Sequence, residues 1–187
     1  MGRVSLLTQI PFGSPEYEAA SEHLHQSAFV EIMDTQYRDF HDLFYAIPNG
    51  GGRNKVEAIN LIREGVKAGI PDTHLPVGTF WDDRFPNVFT VGFPPEGSYG
   101  VRYLSLYLEF KNMKKDSKPA EKQIQKIDRL RKFGNAAFVV HGWQQALDCW
   151  LWYLGQRQPQ DVLISSGLNL QAQLNGDYSF DAWRFPL

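Results

Sequence analysis

"VRYLSLYLEFK", residues 101–111, decides how the chain is read. Leu104, Leu106, Leu108 and Phe110 alternate with Tyr103, Ser105, Tyr107, Glu109 and Lys111, the period of two expected of a strand with one face on a core. Glu109 and Lys111 therefore leave the strand on the same face, opposite the apolar one. Upstream, "IPDTHLPV" (70–77) is strand-like up to Pro76 and places Asp72 at its start. Further upstream "LFYAI" (43–47) is a short strand stopped by Pro48 and followed by the polar turn "NGGGR". Downstream a helix is expected from about Ser117 to Lys132, with Ile124, Ile127 and Leu130 inward and Gly134 ending it. "AAFVV" follows as a buried strand, then "GWQQALDCWLWYLG" as an amphipathic helix closed by Gly155.

The flanks complete the outline. Ser14 as N-cap and Pro15 at the first helical position open one long helix. Its stripe is Leu24, Ala28 and Ile32, with Glu22, Gln26 and Phe29 as a second, partly polar stripe. A helix after the Gly-rich turn starts with Asn54 and Glu57 as a capping box and stops at Gly65. His23 and His25 read as surface residues. Helices alternating with strands indicate an α/β layer fold with a mixed sheet, in one domain. Its body is expected over 1–155, with an insertion at about 78–100 and a C-terminal extension over 156–187 that packs on the body or on a partner. The insertion, rich in Gly, Pro and aromatics, reads as a long loop or a hairpin with "NVFTVGF" as one arm.

Composition narrows the class. An apolar fraction of 43% over 187 residues supports a folded core. No apolar run approaches the ~20 residues of a membrane span, and "MGRVSLLTQIPFG" is too soon interrupted for a secretory signal. The single cysteine, Cys149, cannot form an internal disulfide, which fits a reducing compartment. Charge is unevenly spread: nine of the nineteen Lys and Arg lie between Lys111 and Lys132, against three acids. Such a stretch can meet phosphates or be a solvated helix face.

Two carboxylates and a lysine on neighbouring strands have a specific use. A hard cation such as Mg²⁺ is often held by one or two carboxylates, with waters and a phosphate completing its shell. A lysine beside it orients a water and offsets charge on the phosphate. An E-x-K strand supplies acid and ammonium together, with the Phe110 carbonyl between them as a further oxygen.

"SEHLHQ", "IPNGGGR", "REGVKAGIPD", "LYLEFK", "EKQIQKIDRLRKFG" and "VVHGWQQAL" occur in that order between about Ser21 and Leu154. The set resembles the VRR-NUC family of the PD-(D/E)xK nuclease superfamily. The resemblance implies a single-domain nuclease-like α/β fold, its mixed central sheet flanked by helices. It also implies a DNA endonuclease using Mg²⁺ or Mn²⁺ and leaving a 5′-phosphate and a 3′-hydroxyl. Asp72, Glu109 and the Phe110 carbonyl match the metal-holding positions, Lys111 the lysine, and Glu22 the first-helix acid, acting through a water or second ion. Gln123 matches a glutamine expected near the lysine and the scissile phosphate, and Gln26 lies one turn past Glu22. Asn49, Gly51, Arg53, Lys114, Lys115 and Lys118 are candidates for the DNA backbone. His74 departs from the family pattern, being either a packed imidazole or a contact to a ligand water or DNA.

Stand-alone relatives imply a homodimer cutting branched DNA, Holliday junctions included, in the cytoplasm of a bacterial or phage-infected cell. Two rivals stand beside this: an inactive DNA-binding or assembly module of the same fold, and a nuclease acting on RNA or free DNA ends. The insertion is read as a substrate-gripping or a dimer-forming hairpin.

Overall fold

The strand of the E-x-K motif lies inside a four-stranded mixed sheet. A computed structural model describes residues 6–48, 55–82, 89–92, 99–156 and 166–183. In chain order these form α1 (Pro15–Ala19), α2 (Glu22–Gln36), α3 (Arg38–His41), β1 (Tyr45–Ala46), α4 (Lys55–Arg63), β2 (Thr73–Leu75), β3 (Thr79–Asp82), β4 (Phe89–Val91), β5 (Tyr99–Tyr103), β6 (Leu106–Lys111), α5 (Glu121–Lys132), β7 (Ala136–His141), α6 (Gly142–Tyr153), α7 (Leu170–Leu174) and α8 (Phe180–Trp183). The main sheet runs β1-β2-β6-β7. β1, β2 and β6 pair antiparallel, and β6 and β7 pair parallel across the α5 crossover. Asn49, Gly51 and Arg53, with Asn54 of the expected capping box, lie outside the described residues.

The expected strand 101–111 is two strands. β5 belongs to a second sheet, β4-β3-β5, built from the predicted insertion. β6 begins only at Leu106, because the Leu104 N–H turns to the Gly134 carbonyl (2.9 Å) and Ser105 Oγ donates to Asn135 Oδ1 (2.7 Å). Leu104, expected inward, is 51% exposed. "NVFTVGF" does supply one arm of a hairpin, β4 pairing with β3 from Thr79↔Val91 to Trp81↔Phe89.

Leu106, Leu108 and Phe110 of β6 join Phe138 and Val140 of β7 in the main core, which takes in α2 and α6. Trp150 sits there fully buried, edge-on to Phe29, Tyr37, Phe40 and Phe44. This explains why α6 is not amphipathic as expected: Trp143, Gln145, Ala146, Asp148, Cys149 and Trp150 to Tyr153 are all buried. On the other face Ala137 and Val139 pack against Ile127 of α5, with Tyr107, Leu130 and Tyr178 beside them. The mixed α/β fold expected from the sequence is the one observed.

The N-terminal helix breaks where none was expected. Ala20 is extended (φ −64°, ψ 144°), and Ser21 starts a new cap by accepting from Leu24 N. Glu22 thereby becomes the first residue of α2. The break also rotates the stripe: His25, Ala28, Phe29, Ile32 and Met33 face the core, while Leu24 is 49% exposed. His25, read as a surface residue, is fully buried. It lies edge-on to Tyr17, at 4.8 Å between ring centres, and accepts from the Trp143 N–H (3.4 Å). α5 starts four residues later than expected. Pro119 disfavours helical backbone at Lys118, and the Gln123 side chain closes the first turn by accepting from Ala120 N (2.8 Å). Among the described residues no helix is long and apolar enough to cross a membrane.

Candidate active site

Asp72 leaves the chain one residue before β2, and its Oδ2 accepts the Phe110 N–H at 2.8 Å. That bond carries the register Thr73↔Leu108 one step further, putting Asp72 beside Glu109. Lys111 Nζ donates to Glu109 Oε1 (2.6 Å) and to the Phe110 carbonyl (2.9 Å), and lies 3.8 Å from Glu22 Oε2. Gln123, in the first turn of α5, donates from Nε2 to the same Glu109 Oε1. Asp72, Glu109, Lys111, Gln123 and Glu22, expected from four separate stretches, therefore meet at one end of β6. Gln26 lies one turn beyond Glu22, half-buried.

Burial sets the electrostatics. Glu109 is 1% exposed, and its carboxyl is pushed up to about 7, first by burial, then by the neighbouring Asp72, with Lys111 acting the other way. Asp72 is raised too, chiefly by burial and against the pull of the Phe110 N–H and Lys111. A buried and a half-buried carboxylate beside one ammonium are short of positive charge.

A divalent cation fits this donor set. Glu109 Oε1 receives two N–H donors, whereas Oε2 is buried with no hydrogen-bond partner among the described residues. Oε2, the remaining Asp72 oxygen and the Phe110 carbonyl are hard oxygens of the kind Mg²⁺ or Mn²⁺ takes. Among the described residues there is no group of three or more His, Cys, Asp or Glu that could by itself hold a metal. Mg²⁺ does not require one, since it commonly keeps several waters and uses one or two carboxylates.

The structure places the other candidates as follows. Lys114, Lys115 and Lys118 are exposed on the segment between β6 and α5, with Lys115 Nζ 5.9 Å from the Phe180 ring. Arg131, counted in the basic stretch, is turned inward. It donates to the carbonyls of Ala137 (2.8 Å) and Gln173 (2.9 Å), so the charge cluster overstates the surface open to a polyanion. His74 is packed: its ring stacks on Tyr107 at 4.1 Å, and its Nδ1 is hydrogen-bonded to Tyr45 Oη (2.7 Å).

Two contributors escaped the sequence reading. His141 pairs with Lys111 across the parallel β6–β7 register, and its Nε2 donates to the Ser117 carbonyl (2.9 Å) on the approach to α5. Burial lowers that imidazole to about 4, with Lys111 adding to the shift. Gly69 has φ +77°, and a Cβ there would lie 2.6 Å from the Lys122 carbonyl oxygen. Its lack of a side chain lets the segment leading to Asp72 lie on the first turn of α5. The "AGIPD" spelling hinted at a turn glycine, but its partner is more than fifty residues away.

Against solved structures, the chain superposes on one described as a "VRR_NUC domain protein" with a TM-score of 0.53 and 21% identity. The match covers 73% of this chain and 90% of that one. The fold is the VRR-NUC fold. No family model matches the chain, and no curated protein matches it significantly. Asp72, Glu109 and Lys111 lie at one end of neighbouring strands of the VRR-NUC sheet, with Gln123 above them on the crossover helix.

Proposed function

We propose that the protein is a Mg²⁺- or Mn²⁺-dependent DNA endonuclease of the PD-(D/E)xK type, acting as a homodimer on branched DNA such as four-way junctions. The observation that carries the reading is the hydrogen-bonded set of Glu109, Lys111 and Gln123 beside Asp72. An inactive module would have no use for a buried and a half-buried carboxylate set beside a single ammonium. The choice of branched DNA and of a dimer rests on the family resemblance in the sequence.

Asp72, Glu109 Oε2 and the Phe110 carbonyl would hold the metal, with Glu22 acting through a water or a second ion. When bound, the metal lowers the pKa of a coordinated water and offsets charge on the phosphate. Lys111 has three N–H donors. Two are spent on Glu109 and Phe110, which fixes the ammonium. The third orients the attacking water and offsets charge on the phosphate oxygens. Gln123 holds Glu109 in the rotamer that keeps Oε2 free. The water oxygen bonds to phosphorus, the bond from phosphorus to the 3′ oxygen breaks, and the products are a 5′-phosphate and a 3′-hydroxyl. The exposed Lys114, Lys115 and Lys118, with Asn49, Gly51 and Arg53, contact the DNA backbone.

The test is cleavage of linear duplex, flap and four-way junction DNA in Mg²⁺, Mn²⁺ or EDTA. Cleavage should require metal, prefer the junction, and fall at least about 100-fold in Lys111→Ala. Cutting that survives EDTA or the substitution overturns the mechanism. Junction binding without any cutting turns the reading to a binding module.

A further inference from the structure

The register of the main sheet lays its side chains out in rows. Tyr45 faces His74, and His74 faces Tyr107. One step along, on the same face, come Asp72 and Glu109, because side chains repeat every second residue. An aromatic row therefore lies directly beside the carboxylate row. The separation is two residues on each strand, about 7 Å, the reach of a single extended nucleotide.

Three features distinguish this row from ordinary sheet packing. His74 and Tyr107 are parallel, 12° between planes at 4.1 Å, so they cover one another's faces and brace the row, leaving Tyr45 as the ring open to a base. Tyr45 closes the row on β1, 49% exposed, with its ring edge-on to His74 at 5.3 Å and its hydroxyl bonded to Nδ1. The remaining nitrogen, His74 Nε2, is buried and has no hydrogen-bond partner among the described residues.

We infer that Tyr45, braced by the His74–Tyr107 stack, is a stacking site for an unpaired nucleobase next to the scissile phosphate. Every base has a π-face, so the row takes any base and selects for strandedness rather than sequence. A base paired within duplex is already stacked and gains nothing from it. The preference for unpaired DNA would thus be built into the sheet, beside the metal-binding carboxylates. The inference rests on the nuclease reading for the position of the phosphate, but its test separates the two.

Binding is measured in EDTA, without turnover, using a short single-stranded DNA carrying 2-aminopurine and a blunt duplex of the same length. The wild type should quench the probe. Tyr45→Leu, which keeps apolar volume but removes the ring, should bind the single strand about tenfold more weakly, the loss of roughly one base stack. It should bind the duplex unchanged. Tyr45→Phe should behave like the wild type, which shows that the ring and not the hydroxyl matters. Equal losses on both DNAs, or no loss on either, reduce the row to sheet packing and overturn the inference. Melting curves identify a variant that fails to fold, in which case Tyr45→Phe and Tyr45→Trp decide. Cleavage with Mg²⁺ by the same proteins tests the nuclease reading alone: if the wild type cuts nothing while the EDTA result holds, the base site stands and the catalytic reading falls.

Discussion

Glu109 holds one oxygen under two N–H donors and another under none from the described residues, within a carboxyl that burial raises to about 7. The folded carboxyl keeps its proton more tightly than the unfolded one, whose value is 4.5, so its ionisation opposes folding. That opposition is absent below about 4.5 and complete above about 7. Glu109→Gln at pH 8 removes a buried charge while leaving an oxygen for Lys111 and Gln123. Cleavage should fall at least about 100-fold, yet the melting temperature at pH 8 should be no lower than that of the wild type. A clear drop in melting temperature would show the carboxylate to be structural. The E-x-K pair was legible because alternation alone puts residues 109 and 111 on one face. The parting of the two Glu109 oxygens was not, since it depends on Gln123 arriving from a different element. His25 shows the opposite error. Its polarity suggested the surface, but the helix break at Ala20 and Ser21, a local capping event, set the rotation of α2 and buried it.

At the level of elements, the site depends on two close fits. Gly69 combines a left-handed φ of +77° with a would-be Cβ 2.6 Å from backbone. Gly69→Ala should therefore destabilise the protein by about 1–2 kcal/mol from the backbone conformation alone, and push the Asp72 segment off α5. Urea melts should record the first effect, and a raised Mg²⁺ requirement for cleavage the second. Unchanged metal dependence would separate Gly69 from the site. The second fit closes the sheet at β7. Gln173 of α7 donates to the Val139 carbonyl (2.7 Å) and accepts from the Val139 N–H (2.8 Å), its amide standing where another strand would pair. Gln173→Ala leaves two buried backbone groups without these partners and should cost roughly 2–4 kcal/mol. Exchange of the Val139 amide with deuterated solvent should quicken in the same variant. Elements with strong local signals, such as the α5 periodicity and the buried β7 run, were readable in the sequence. The split between β5 and β6 was not, because the hydrophobic alternation continues across Leu104 while the Leu104 N–H goes to the Gly134 carbonyl and the Ser105 hydroxyl to the Asn135 side chain.

The molecule as a whole is joined through buried histidines. His25 ties α2 to the start of α6, and His141 ties the end of β7 to the segment before α5. Burial is the main cause in lowering both imidazoles from 6.5 to about 4, against a weaker opposite pull from hydrogen bonds to backbone. The folded state therefore binds fewer protons than the unfolded one between these values. Stability is whole above about 6.5 and is lost progressively as the pH falls toward 4. Glu109 acts the other way over part of this range, so the wild-type curve mixes the two effects. A variant isolates one. His25→Gln keeps an acceptor for the Trp143 N–H but cannot take up a proton in this window. Its unfolding free energy, from urea melts at pH 7, 6 and 5, should fall less steeply than that of the wild type. The difference should approach one proton, or about 1.4 kcal/mol per pH unit, between the two histidine values. Parallel curves would mean that His25 titrates alike in both states, and that the joint between α2 and α6 does not set the acid limit of the fold.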